Sequence, residues 1–160
     1  MKYIKYSLIA LVFGLLSCDL GSEPTIEGTK LKAMCGEWFV LILNEGEDVG
    51  NGYHLITTSN TAANNETDLI LDDHETWPAK IITKVNLPAM TFDAAQNLPN
   101  AYADTIQVSV IEGKILKGAA TTTGGNKTDS IYVKFEFSDA PGTQFEYAGY
   151  RRTGFSEDEH

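Results

Sequence analysis

Histidine is the side chain from which general-base chemistry most often starts, and this chain holds 3: His54, His74 and His160. Only His74 has neighbours of the right kind. It lies in Asp72-Asp73-His74-Glu75, the densest run of ligand-type side chains in the sequence. Loop carboxylates hold Ca²⁺ when they converge, and a histidine among them can act as a base. Four adjacent polar residues in an extended loop alternate in direction, however, so the run reads as a solvated turn and no metal set is assigned. His54 falls on a candidate strand. A serine hydrolase also needs a nucleophile and oxyanion donors, and there is no Gly-x-Ser-x-Gly elbow. Cys35 borders an apolar run and reads as a small core filler rather than a nucleophile. Gly124-Gly125-Asn126-Lys127-Thr128 lacks the ending and the following helix of a phosphate loop. No catalytic residue and no cofactor follow from these residues.

The elements that must position any site are strands. Cys35 to Leu43 is the longest apolar run outside the N-terminal leader, and its branched and aromatic residues read as a buried strand. Gly52 to Thr58, Asp68 to Asp72 and Ala79 to Leu87 follow, with Ile81, Thr83 and Val85 alternating against Ile82, Lys84 and Asn86. Met90 to Asp93 reads as a fragment. Thr105 to Ile111 is expected to turn at Glu112-Gly113 into Lys114 to Thr122 as a hairpin. Ile131, Val133, Phe135 and Phe137 alternate with Tyr132, Lys134 and Glu136, the sharpest period of two in the chain. Asp139-Ala140-Pro141-Gly142 suits a type I or II turn, and Thr143 to Arg152 returns as the last strand. Eight or nine strands, short turns and no convincing helix predict an all-β antiparallel domain, either a closed barrel or a β-sandwich.

Charge and leader narrow the setting. Lys2 and Lys5 precede the apolar stretch Tyr6 to Leu16, which is long enough for a signal peptide and too short to span a bilayer comfortably. Leu15-Leu16-Ser17-Cys18 resembles a bacterial lipobox, which implies cleavage after residue 17 and acylation of Cys18. The organisation expected is a signal peptide over 1–17, a lipidated tether over 18–34, a barrel over 35–155 and an acidic tail over 156–160. Without Lys2 and Lys5, 10 basic side chains face 22 acidic ones, so the mature chain is near −12. Such a charge repels phosphate backbones and anionic headgroups, which excludes nucleic acid as a natural partner. Membrane attachment must come from the lipid anchor. With Cys18 acylated, Cys35 has no disulfide partner.

Gly36-Glu37-Trp38 resembles the Gly-x-Trp signature of the lipocalin and wider calycin group. In that group a last-strand arginine lies over the tryptophan and closes the barrel, a role the resemblance assigns to Arg151 or Arg152. The chain further resembles a family of Bacteroides-type lipoproteins, the lipid-binding putative hydrolases. The resemblance runs through Gly36-Glu37-Trp38, Leu71-Asp72-Asp73 to Trp77, Lys114 to Ala119, Asp129 to Tyr132, Phe137-Ser138-Asp139, and Gly149 to Asp158. It implies an up-and-down calycin-like barrel of about eight strands holding a lipid or other apolar ligand, in an outer-membrane lipoprotein that is periplasmic or surface-exposed.

Strand alternation points Trp38, Val40, Ile42, Ile131, Val133, Phe135, Phe137, Phe145 and Tyr147 inward. All but Ile131 are taken here as the lining of a ligand cavity; a solid core is the competing reading. Phe39, Leu41 and Leu43 would then face outward, where the tether or a second protein has to cover them. Three functions are carried forward. The first is a non-catalytic binder of a hydrophobic ligand, the second an accessory subunit docking on an outer-membrane complex, and the third a lipid-acting hydrolase.

Overall fold

The computed structural model describes residues 28–160; the expected signal peptide, Cys18 and most of the tether lie outside these residues. Its strands are β1 (Gly36–Asn44), β2 (Glu47–Asp48), β3 (His54–Asn60), β4 (Asp68–Asp72), β5 (Lys80–Asn86), β6 (Thr91–Phe92), β7 (Ala95–Leu98), β8 (Val108–Thr121), β9 (Lys127–Phe137) and β10 (Gln144–Arg151). In the order β1, β3, β4, β5, β6, β8, β9, β10 each strand pairs antiparallel with the next, and β1 meets β10 over Trp38↔Arg151 to Leu43↔Glu146. Eight strands, β1, β3, β4, β5, β6, β8, β9 and β10, thus form a closed up-and-down barrel. β2 extends the end of β1, and β7 pairs alongside β8. Closure removes every free sheet edge from the wall, so each wall strand finds its hydrogen bonds within the chain.

Period-two alternation explains which side chains enter. Trp38, Val40 and Ile42 of β1 are buried, as are Ile81, Thr83 and Val85 of β5 and Ile131, Val133, Phe135 and Phe137 of β9. They join one continuous core. The seam between first and last strands is tight. A Cβ on Gly149 would stand 1.9 Å from the Phe39 carbonyl oxygen, so only glycine lets these backbones approach.

Glu112-Gly113 is not a turn, and the hairpin expected there is absent. β8 runs unbroken over 14 residues and pairs with β9 along most of its length. The register slips between Val110 and Glu112, a bulge that moves the inward positions from Val108 and Val110 to Gly113 and Ile115. The glycine serves packing: a Cβ there would come within 2.9 Å of the Phe92 ring.

Both ends of the barrel are plugged. At the Gly36 end a turn at 29–34, held by Met34 N–H to the Leu31 carbonyl (2.8 Å), drives Leu31 and Met34 fully into the core. The segment before Cys35 therefore contributes core as well as linker. At the opposite end, where Asp72, Lys80, Phe137 and Gln144 stand on the rim, the 73–79 loop folds across the mouth.

Candidate functional site

The closing arginine is Arg151. Its guanidinium carbon lies 4.8 Å from the Trp38 ring centroid, and Nη2 donates to the Cys35 carbonyl at 2.8 Å. Trp38 and Arg151 are direct partners across the seam, so both side chains leave the sheet on the inner face. Asp129 supplies the counter-charge, with Oδ2 3.4 Å from Arg151 Nε and 2.8 Å from Lys117 Nζ. Burial pushes the Asp129 carboxyl up, but hydrogen bonds from Lys117 and the Gly118 N–H outweigh it and hold the group below the usual range. Trp38 Nε1 donates to Thr58 Oγ1 (2.8 Å), which donates to the Met34 carbonyl (2.6 Å). Arg152 points outward, pairing with Glu37 and Glu159 at 2.7 Å each.

Of the eight residues read as cavity lining, Trp38, Val40, Ile42, Val133, Phe135 and Tyr147 are at most 1% exposed. All six belong to one continuous buried core. Phe137 and Phe145 differ: they reach the mouth. There they line a cleft of about 360 Å³ together with Trp77, Pro78, Ile106 and Ala140, with Asp139 among its residues. Trp77 tilts over Phe145 at 5.0 Å between ring centroids, and Phe137 meets Phe145 edge-on at 5.8 Å. The volume falls in the range of small-molecule sites, and the lining is aromatic and aliphatic. A larger groove of about 570 Å³ follows the β6–β8 seam, but Thr91, Glu112 and Lys114 give it a polar edge.

Asp73 holds Trp77 in place. Its carboxylate is fully buried, accepting N–H groups from Glu75 (3.1 Å), Trp77 (3.0 Å) and Ala79 (2.9 Å) and the hydroxyl of Tyr147 (2.9 Å). The solvated turn expected over Asp72 to Glu75 is corrected on this point. His74 and Glu75, both at positive φ, turn outward so that Asp73 drops into the lumen. Burial and the neighbouring Asp73 charge raise the Tyr147 hydroxyl pKa far above its ordinary value, so it remains a donor. Asp72 is engaged by Lys80 Nζ (2.8 Å) and Tyr102 OH (2.6 Å). This bond to Asp72 pushes the Tyr102 pKa up to about 12.

The histidines are scattered. His54 Nε2 donates to the Gly50 carbonyl at 2.7 Å, tying the loop before β3. His74 is exposed, 3.9 Å from Asp72 Oδ1. His160 stacks on Tyr53 (centroids 4.3 Å apart) and meets Phe39 edge-on at 5.1 Å. Phe39 is thereby 4% exposed, covered by the chain's own C-terminal residues rather than by the tether or a partner. Among the described residues no group of three or more His, Cys, Asp or Glu is arranged around a metal position.

Sequence reasoning missed Trp77, Pro78 and Ile106 as site residues. Trp77-Pro78 directly after a polar cluster was the available signal, since an aromatic in a loop needs something to pack on. The fold is a closed eight-stranded antiparallel barrel with an aromatic cleft at one mouth. Residues 23–156 match the model of the lipid-binding putative hydrolase family, and the chain belongs to that family. No curated protein matches it. Family and barrel together fit a lipid-binding role.

Proposed function

We propose that this protein binds a lipid or other small hydrophobic molecule in the mouth cleft and releases it unchanged, tethered to the outer membrane by acyl chains on Cys18. The observation carrying the reading is the cleft itself: Trp77, Phe137 and Phe145 present an aromatic lining at the mouth of the barrel. Burying an alkyl chain against such a surface stabilises a complex by about 0.8 kcal/mol per methylene. Binding without turnover is favoured over hydrolysis because His54 has its Nε2 donating to a loop carbonyl, His160 is stacked on Tyr53, and the cleft lining of Trp77, Pro78, Ile106, Phe137, Asp139, Ala140 and Phe145 pairs no nucleophile with the nearby His74. The lipobox-like Leu15-Leu16-Ser17-Cys18 supports the anchor, on the periplasmic or the outer surface. The test is displacement of the neutral dye N-phenyl-1-naphthylamine by dodecanol from the chain beginning at residue 19, whose barrel and both plugs lie within the described residues. Displacement that is lost in Trp77→Ala and retained in Ile82→Ser supports the cleft. Equal displacement in all three proteins would refute it.

A further inference from the structure

The cleft carries one charge, and its sign is informative. Asp139 stands at its edge, exposed, and among the described residues its carboxylate makes no hydrogen bond or ion pair. No Lys, Arg or His lines the cleft among the described residues. The lysines on adjoining strands are occupied: Lys80 lies 2.8 Å from Asp72 and Lys134 3.1 Å from Glu146. A fatty-acid carboxylate entering here would bring a second negative charge beside Asp139 with no cation to meet it. An ammonium group would meet that carboxylate and the partly buried Trp77, the aromatic ring that attracts cations best. The acidic whole, formally −10, adds a field of the same sign.

Resting on the binding reading above, we propose that the mouth cleft selects amphiphiles with a cationic polar end, of the alkylammonium class, over anionic ones. The alkyl chain lies along Phe145, Phe137 and Ile106, and the head stays at the solvent edge between Asp139 and Trp77. At 4 Å in a water-like medium one unit charge changes binding by about fivefold, and salt weakens the effect.

Three 12-carbon probes separate the outcomes: dodecyltrimethylammonium, dodecanol and dodecanoate, each below its micellar concentration, displacing N-phenyl-1-naphthylamine from the chain beginning at residue 19. The expected order is ammonium, then alcohol, then carboxylate, in steps of about fivefold at low salt that shrink at high salt. Asp139→Asn should bring the affinities of the three together; its side chain makes no hydrogen bond or ion pair among the described residues, and near-ultraviolet circular dichroism checks the barrel. Carboxylate binding as tight as ammonium overturns the selectivity and leaves an apolar cleft. A cation preference that survives Asp139→Asn overturns the assignment to Asp139. Displacement by none of the three overturns the binding reading itself.

Discussion

The guanidinium of Arg151 occupies the space that a side chain at Gly36 would need: a Cβ there would lie 3.1 Å from Arg151 Cζ. The glycine of Gly-x-Trp is therefore a seat for the arginine that covers the tryptophan, and the three residues close the barrel as one unit. Arg151→Ala loses the contact with Trp38 and the hydrogen bond to the Cys35 carbonyl, which should cost about 2 kcal/mol. Arg152→Ala breaks exposed pairs with Glu37 and Glu159 and a long contact with the Phe39 ring (6.0 Å to its centroid) and should cost about 1 kcal/mol. Urea unfolding of the two variants measures the contrast, and equal losses would mean that the arginine over Trp38 does not close the barrel.

Gly149→Ala is expected to do more damage than any exposed substitution. The added carbon would meet the Phe39 carbonyl oxygen at 1.9 Å, a backbone atom that cannot rotate away. Opening the β1–β10 seam to admit it should cost more than about 3 kcal/mol. Thermal unfolding by circular dichroism reads this directly; a variant within 2–3 °C of the parent would show that the seam is looser than described.

Asp73 and Tyr147 couple the mouth loop to the lumen. Asp73→Ala removes the acceptor of three loop N–H groups and of the Tyr147 hydroxyl, leaving the buried Ala79 N–H and the hydroxyl without it, so a loss of about 3 kcal/mol is expected. Tyr147→Phe leaves the carboxylate its three backbone donors and should cost only about 1 kcal/mol. Hydrogen exchange at residues 75–79 should quicken strongly in the first variant and little in the second.

Acid sensitivity should centre on Asp158. Burial pushes its carboxyl up, but hydrogen bonds from Thr122, Thr153, Asn126 and the Gly124 N–H outweigh it and hold the pKa at about 2. The unfolded chain, with an ordinary value of about 3.9, binds this proton first as pH falls. The contribution is thus complete above about pH 4 to 5 and is lost as pH falls towards 2. Asp158→Asn should flatten that part of a stability-against-pH curve measured by urea unfolding, and an unchanged acid limb would remove Asp158 as its source.

The alternation of β9 and β5 was readable because each strand buries one face, and period two is then imposed residue by residue. What stayed hidden depends on distant partners. Gly113 has the same local signature as a turn glycine, and only the Phe92 ring against it distinguishes close packing from chain reversal. Asp73 is polar in a polar run; its burial is decided by Tyr147, 74 residues away in sequence. Leu31 and Met34 sit in a segment too short for periodicity, so their role as a plug appears only once the barrel end exists. The inward-facing residues were legible as a set, but alternation cannot tell a packed lumen from a hollow one. That difference depends on summed side-chain volume, which alternation does not carry.

Where an alkyl chain binds is the central question, and amide and side-chain NMR shifts during a dodecanol titration of the isotope-labelled chain answer it most directly. The account predicts saturable changes at Trp77, Ile106, Ala140 and Phe145, with Trp38, Ile56 and Val133 unmoved. Changes centred on those three lumen residues, with the mouth silent, would contradict it.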